Sequence, residues 1–308
     1  MQFNEYLKSC RERYNLTQEQ LVQKLYNTDD EFGGLNTSTL SRWERGATQP
    51  SLSRQVSIIK VFQNYNTMVF PCFEELEHEE IENSICKMGV HNLLGNSKRL
   101  VLNLLSNVIQ VDDMKIIHVR QTENIDQVLI MPHALDKELT NNFSMLKEEH
   151  FKTWALHPSN LFLVSEYQGQ FFGMLFVLRL KPEVFEKLLN FQMEEQDIAT
   201  EDFATFEEKG CNYILSFFAS NEKSASLLFL RYYAHLIANQ NTIPDVGALT
   251  ILDDGRKLIS RLKLKYLKDV HVKEGHISSH RATLSEVLLN EDVLKMIFQK
   301  QECPEDDN

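Results

Sequence analysis

The sequence predicts a multidomain chain, with an all-α N-terminal domain followed by an α/β C-terminal domain built on a mixed sheet. Length is the first observation: 308 residues exceed one small module and suggest about two domains. The second is a change of period. Residues 1–65 carry short helical repeats with capping residues at their starts, whereas from about residue 114 strand-like apolar runs alternate with helical ones. The third is composition, 43% hydrophobic and 25% charged, which suits packed cores. No run approaches the ~18 uninterrupted apolar residues of a membrane span, and Met1 to Arg13 carries scattered charges instead of the apolar stretch of a signal peptide. The expectation is a cytoplasmic protein with no membrane partner.

Charge is unevenly spread. The total is −12, yet residues 1–65 hold eight Lys/Arg (Lys8, Arg11, Arg13, Lys24, Arg42, Arg45, Arg54 and Lys60) against seven acids, which leaves the acidity in the remainder. A near-neutral module joined to an acidic body fits a small nucleic-acid reader whose few basic groups share one face. The five cysteines (Cys10, Cys72, Cys86, Cys211 and Cys303) are widely spaced, without a C-x-x-C pair or a histidine at zinc spacing. Neither disulfides nor a zinc site is expected from them.

Taken in order, Thr17 with Gln20 three residues on forms a capping box for LTQEQLVQKL, whose Leu21 and Leu25 face inward. In LNTSTLSRWERG (35–46), Asn36 or Thr37 caps, Leu40 and Trp43 point inward, and Gly46 ends the helix. Thr37, Ser38, Ser41 and Arg42 are left outward. Pro50 stops continuation, and Leu52 to Phe62 forms a further helix with Val56, Ile59 and Phe62 inward. Residues 66–113 read as an acidic linker plus a connector helix at 97–110, with Leu100, Leu104, Leu105 and Val108 at helical spacing. The third region, 114–300, has strands at 114–120, 161–167, 171–180, 211–219, 246–252 and 265–272, and helices at 183–191, 224–239, 253–264 and 284–298.

The N-terminal stretch resembles the Cro/repressor (XRE family) helix-turn-helix domain, through TQEQL, TSTLSRWERG and the following QPS. The resemblance implies that the third helix enters the major groove of double-stranded DNA. Thr37, Ser38 and Arg42 then become base readers, Ser41 lies beside them, and Gln18 and Arg45 hold phosphates. It further implies a homodimer on a palindromic operator. One departure is the insertion YNTDDEFGG (26–34) between the second and third helices; its acids Asp29, Asp30 and Glu31 should point away from a duplex.

From about 114 to 275 the pattern resembles a GNAT-type N-acetyltransferase fold. In that family Q/R-x-x-G-x-G/A, between a buried strand and the next helix, binds acyl-CoA pyrophosphate through backbone amides. The corresponding residues here are Asn221, Glu222, Lys223, Ser224, Ala225 and Ser226. Both glycines are serine, and Asn221, Lys223, Ser224 and Ser226 become the candidate ligand-binding residues. The family's aromatic general acid before a Gly-Phe pair falls near Ile259 and Lys263-Leu264, where neither a tyrosine nor a glycine stands. No catalytic residue is assigned, and acetyl-CoA is the one cofactor the resemblance raises. His271, His276 and His280 sit at a strand end followed by a loop, which offers no fixed ligand geometry, so no metal is expected. The reading is a DNA-binding transcriptional regulator with a C-terminal domain that senses a small-molecule or protein effector or serves in dimerisation. The alternative is an acetyl-CoA-dependent N-acetyltransferase fused to a DNA-binding domain.

Overall fold

The computed structural model describes residues 1–65, 68–74, 76–94, 100–103, 108–122, 125, 126, 128–130, 133, 134, 148–250, 255–272 and 275–298. The chain divides into two compact units, Met1–Asn96 with Leu288–Asn308, and Ser97–Val287. These bounds differ from the three regions expected at 1–65, 66–113 and 114–300. The expected linker is split between the two units, and the last stretch of chain belongs with the first. The acidic tail after Cys303 lies outside the described residues.

Among its described residues the first unit is helical throughout: α1 (Phe3–Arg13), α2 (Gln18–Thr28), α3 (Thr37–Glu44), α4 (Leu52–Gln63), α5 (His78–Leu94) and, from the far end of the chain, α11 (Glu291–Ile297). The capping box of α2 forms as expected, with Gln20 N donating to Thr17 Oγ1 and Thr17 N to Gln20 Oε1. The core gathers Phe3, Tyr6, Leu7, Leu21, Leu25, Leu40, Trp43, Ile59 and Phe62, all buried, each stabilising by about 1.5–3 kcal/mol. Val56, expected inward, is only half-buried. Of the acidic linker, Glu79, Glu80 and Glu82 fall in α5, which buries Ile81, Ile85, Cys86 and Val90. α11 packs against α4 and α5, and Phe298 meets Phe3 and Tyr6 with ring centroids 5.1 and 5.4 Å apart.

Among its described residues the second unit contains a nine-stranded sheet of order β1-β2-β3-β4-β5-β6-β7-β9-β8. Its strands are β1 (Leu100–Asn103), β2 (Val108–Val111), β3 (Met114–His118), β4 (Leu161–Tyr167), β5 (Gln170–Leu180), β6 (Cys211–Ala219), β7 (Asp245–Thr250), β8 (Lys265–Val272) and β9 (Gly275–Thr283). Its helices include α6 (Glu148–Leu156), α7 (Pro182–Leu189), α8 (Glu222–Ala238) and α9 (Gly255–Arg261), and α10 (Leu284–Leu288) ends at its boundary. Neighbouring strands pair antiparallel except β6 and β7, which are parallel and joined by α8, since a parallel pair needs a crossover. The β4–β5 hairpin turns through Gln168 (φ 50°) and Gly169 (φ 78°), the left-handed pair that a tight two-residue turn requires.

Period-2 alternation puts Phe162, Val164, Met174, Phe176, Leu178 and Tyr213 on one face, in a core with Phe151 and Trp154 of α6 and Phe185 of α7. Asn212, one residue from Tyr213, faces the other side and lies within 3.5 Å of the Tyr232 hydroxyl of α8. α8 therefore covers the opposite face. It is buried without interruption from Leu227 to Ala238, Arg231 and His235 included.

Several expectations are corrected. The connector helix at 97–110 is the antiparallel pair β1–β2, with Leu100 opposite Val111 and Asn103 opposite Val108; Leu104 and Leu105 lie outside the described residues. The single helix at 284–298 is two, broken where Asn290 caps α11 by accepting from Asp292 N and Val293 N. The loop expected after β8 is the strand β9. The helix of 253–264 is shorter, and 251–254 lie outside the described residues.

Candidate functional site

The outward face of α3 is positioned from both ends. At its start Asn36 Oδ1 accepts from Thr39 N at 2.9 Å. At its end Gly46 adopts φ 71°, the left-handed conformation in which a glycine pays no side-chain penalty. Leu40 and Trp43 anchor the inner face, 0% and 4% exposed. Helical spacing then leaves Thr37, Ser38 and Arg42 exposed, with Ser41 half-buried and Arg45 exposed one turn on. Among the described residues the Arg42 guanidinium has no hydrogen-bond partner, while Arg45 Nε donates back to Ser41 O at 3.2 Å.

Beneath this face lies a polar knot that sequence inspection missed. Glu44, the last residue of α3, is 7% exposed and accepts a bidentate pair from Arg11 of α1, Nε to Oε1 at 2.5 Å and Nη2 to Oε2 at 3.1 Å. Gln18 Nε2 adds a third bond to Oε2 at 2.7 Å. The Glu44 hydrogen bond raises the Arg11 pKa above its ordinary value, so the cation is held charged. α1, α2 and α3 are thereby tied at one carboxylate. Gln18, expected at a phosphate, spends one of its two amide hydrogens here.

The acidic insertion folds onto α4. Asp29 Oδ1 accepts from Glu31 N at 3.0 Å and Oδ2 from Ser57 Oγ at 2.9 Å, bonds that hold its carboxyl below the usual range. Arg54 Nη2 donates to Glu31 O, and Phe32 is buried beneath. Arg54 is thus engaged by the insertion.

At the strand-helix turn of the second unit, Asn221 caps α8, its Oδ1 accepting from Ser224 N at 2.8 Å. The buried Ser224 hydroxyl donates to Phe172 O at 3.2 Å. Lys223 Nζ is paired with Asp112 Oδ2 at 2.9 Å, and Ser226 is half-buried. Three of the four candidate ligand residues are therefore engaged within the chain. Gly173 of β5 passes so close that a Cβ there would lie 2.7 Å from both Phe218 O and Ser224 Oγ, which explains a glycine in mid-strand. Next to this turn, among the described residues β6 and β7 pair from Asn212 with Val246 to Ile214 with Ala248, and β6 runs on to Ala219.

Ile259 lies in α9, and the nearby Tyr266 of β8 donates to Asp269 Oδ1. Among the described residues, no helix is long and apolar enough to cross a membrane.

No family model matches the chain. No curated protein matches it in sequence. Among solved structures, it is similar to FeeM, an N-acyl amino acid synthase from uncultured soil microbes, at 10% identity and a TM-score of 0.35, over 51% of this chain and 88% of that one. An uncharacterized protein from Bacillus halodurans aligns at the same identity and TM-score, over 64% of this chain and 97% of that one. Likeness at this level leaves function to be argued from the residues themselves.

Proposed function

We propose that the first unit is a helix-turn-helix module of the Cro/repressor type that reads double-stranded DNA through α3, and that the protein is a transcriptional regulator. One observation carries the reading: Thr37, Ser38 and Arg42 are presented together on a helix seated by Trp43 and Glu44, with the Arg42 guanidinium unengaged among the described residues. A cation held outward on a rigid helix suits bidentate contact with guanine. Thr37 and Ser38 offer hydroxyls at the helix start, where such modules meet base edges. Arg45, and Gln18 through its remaining amide hydrogen, serve phosphates. The module is nearly neutral, so a homodimer on two half-sites supplies the affinity that one copy lacks, and an effector of the second unit, a small molecule or a protein, regulates it. Selecting bound DNA from a genomic pool identifies the operator. Arg42→Ala then weakens specific binding by about 5–150-fold per half-site, the worth of one bidentate contact of ~1–3 kcal/mol, with the unfolding midpoint unchanged. Equal operator affinity for the variant and the parent would refute the assignment.

A second reading, acyl-CoA binding by the second unit, is supported by the way β6 runs on beyond its last described pair with β7, Ile214 with Ala248, to the start of α8. Ligands of open α/β sheets bind at the carboxyl ends of strands, and β6 ends at the start of α8. Against it, the Ser224 amide and the Lys223 ammonium are already engaged. If acyl-CoA binds, acetyl-CoA raises the unfolding midpoint by mass action; no shift at millimolar ligand removes the reading.

A further inference from the structure

The strand β9 changes the standing of the histidines near the end of the second unit. In the β8–β9 hairpin His271 lies directly opposite His276, and Asp269 opposite Ser278. Residues two apart on a strand share a face, so Asp269, His271 and His276 project together. One ligand atom from each lies within 4.8 Å of the other two. The imidazole centroids are 3.8 Å apart, and His276 Nδ1 stands 3.7 Å from Asp269 Oδ2. These residues are exposed; Asp269 and His271 lie on β8, the last strand of the described sheet, and His276 on its neighbour β9.

We propose that Asp269, His271 and His276 form a binding site for a borderline divalent transition-metal ion, with Zn2+ as the ion of choice. Two imidazole nitrogens and one carboxylate oxygen are a donor set suited to such ions, whereas Mg2+ and Ca2+ prefer all-oxygen shells. Metal–ligand bonds of about 2.0–2.2 Å in a tetrahedron place donors about 3.4 Å apart. The Asp269–His276 separation is already close to that, and rotation of exposed side chains closes the rest. Water fills the remaining position, as in three-ligand zinc sites. The carboxylate is also oriented from behind: Tyr266 Oη donates to Asp269 Oδ1 at 2.8 Å, leaving Oδ2 toward His276, the outer-shell arrangement that sharpens metal sites. Lys268 is directed to Asn190 O on another element, so its charge is not aimed at the cluster.

The test is calorimetric titration of Zn2+ into the full-length, chelator-treated protein. A single saturable site is expected, and the His271→Ala/His276→Ala double variant should bind at least tenfold more weakly with an unchanged metal-free unfolding midpoint. Should that variant fail to fold, Asp269→Asn, which keeps the shape and the Tyr266 contact, carries the test with the same tenfold expectation. Zinc affinity unchanged in the folded variant overturns the proposal.

Discussion

Glu44 is a carboxylate 7% exposed at the end of a helix, and its three hydrogen bonds determine how firmly α3 is held. An ion pair in this setting is costly to break, because the surviving charge keeps its desolvation penalty without its partner. Glu44→Ala would leave Arg11, whose side chain is 14% exposed, with its bond to Leu16 O and a 3.5 Å contact to the exposed Glu12 carboxylate in place of the buried bidentate pair. The expected loss is about 3 kcal/mol, the lower end for a broken buried pair, read as a lower midpoint in denaturant unfolding; an unchanged midpoint would show the knot to be incidental. The residues around it differ in how readable they were. Thr17, Asn36, Trp43 and Gly46 announce their roles locally, through capping and helical spacing. Arg11 and Glu44 stand 33 positions apart, and no periodicity links them.

Elements were legible where burial and period agreed. β4, β5 and β6 read as strands because their apolar runs are flanked by turns, and α8 because its apolar run is too long for a strand. β9 was missed because its most buried position is Ser279, 0% exposed, so GHISSHRAT shows no apolar alternation to the eye. That omission also hid the metal-ligand cluster, since His276 gains a fixed place only by pairing with His271. β1 and β2 were misread for the opposite reason. Their leucines and valines satisfy a helical repeat as well as a strand repeat, and only pairing with a partner decides between them. The break between α10 and α11 had a local signal, Asn290 followed by Glu291 and Asp292, outweighed by the apolar spacing running through it. On the outward face of α3, the exposure of Thr37, Ser38 and Arg42 was legible, while the half-burial of Ser41 and the engagement of Gln18 by Glu44 were not.

On the scale of the whole molecule, the first unit is built from both ends of the chain. α11 returns some two hundred residues after α5, with Asn92 Nδ2 donating to Met296 O at a sequence separation of 204. Phe298, 4% exposed, completes an aromatic cluster with Phe3, Tyr6 and Phe70, so the core beneath α3 is closed by the last described residue. A fragment cut at residue 65 keeps α1–α4 but loses every partner of that cluster contributed from beyond α4. Phe298→Ala tests the dependence within the full chain. Truncating a buried phenylalanine costs about 3–5 kcal/mol, and the loss falls on the unit that carries α3. Backbone amides of α1 and α4 should therefore exchange about 100-fold faster or more in the variant, since ~1.4 kcal/mol is a factor of ten wherever exchange goes through unfolding of the unit. Operator affinity of the folded protein should hold, because Phe298 lies in the core and not on the outward face. Unchanged exchange in α1 would mean that the N-terminal helices close their own core, and that the returning helix is a passenger.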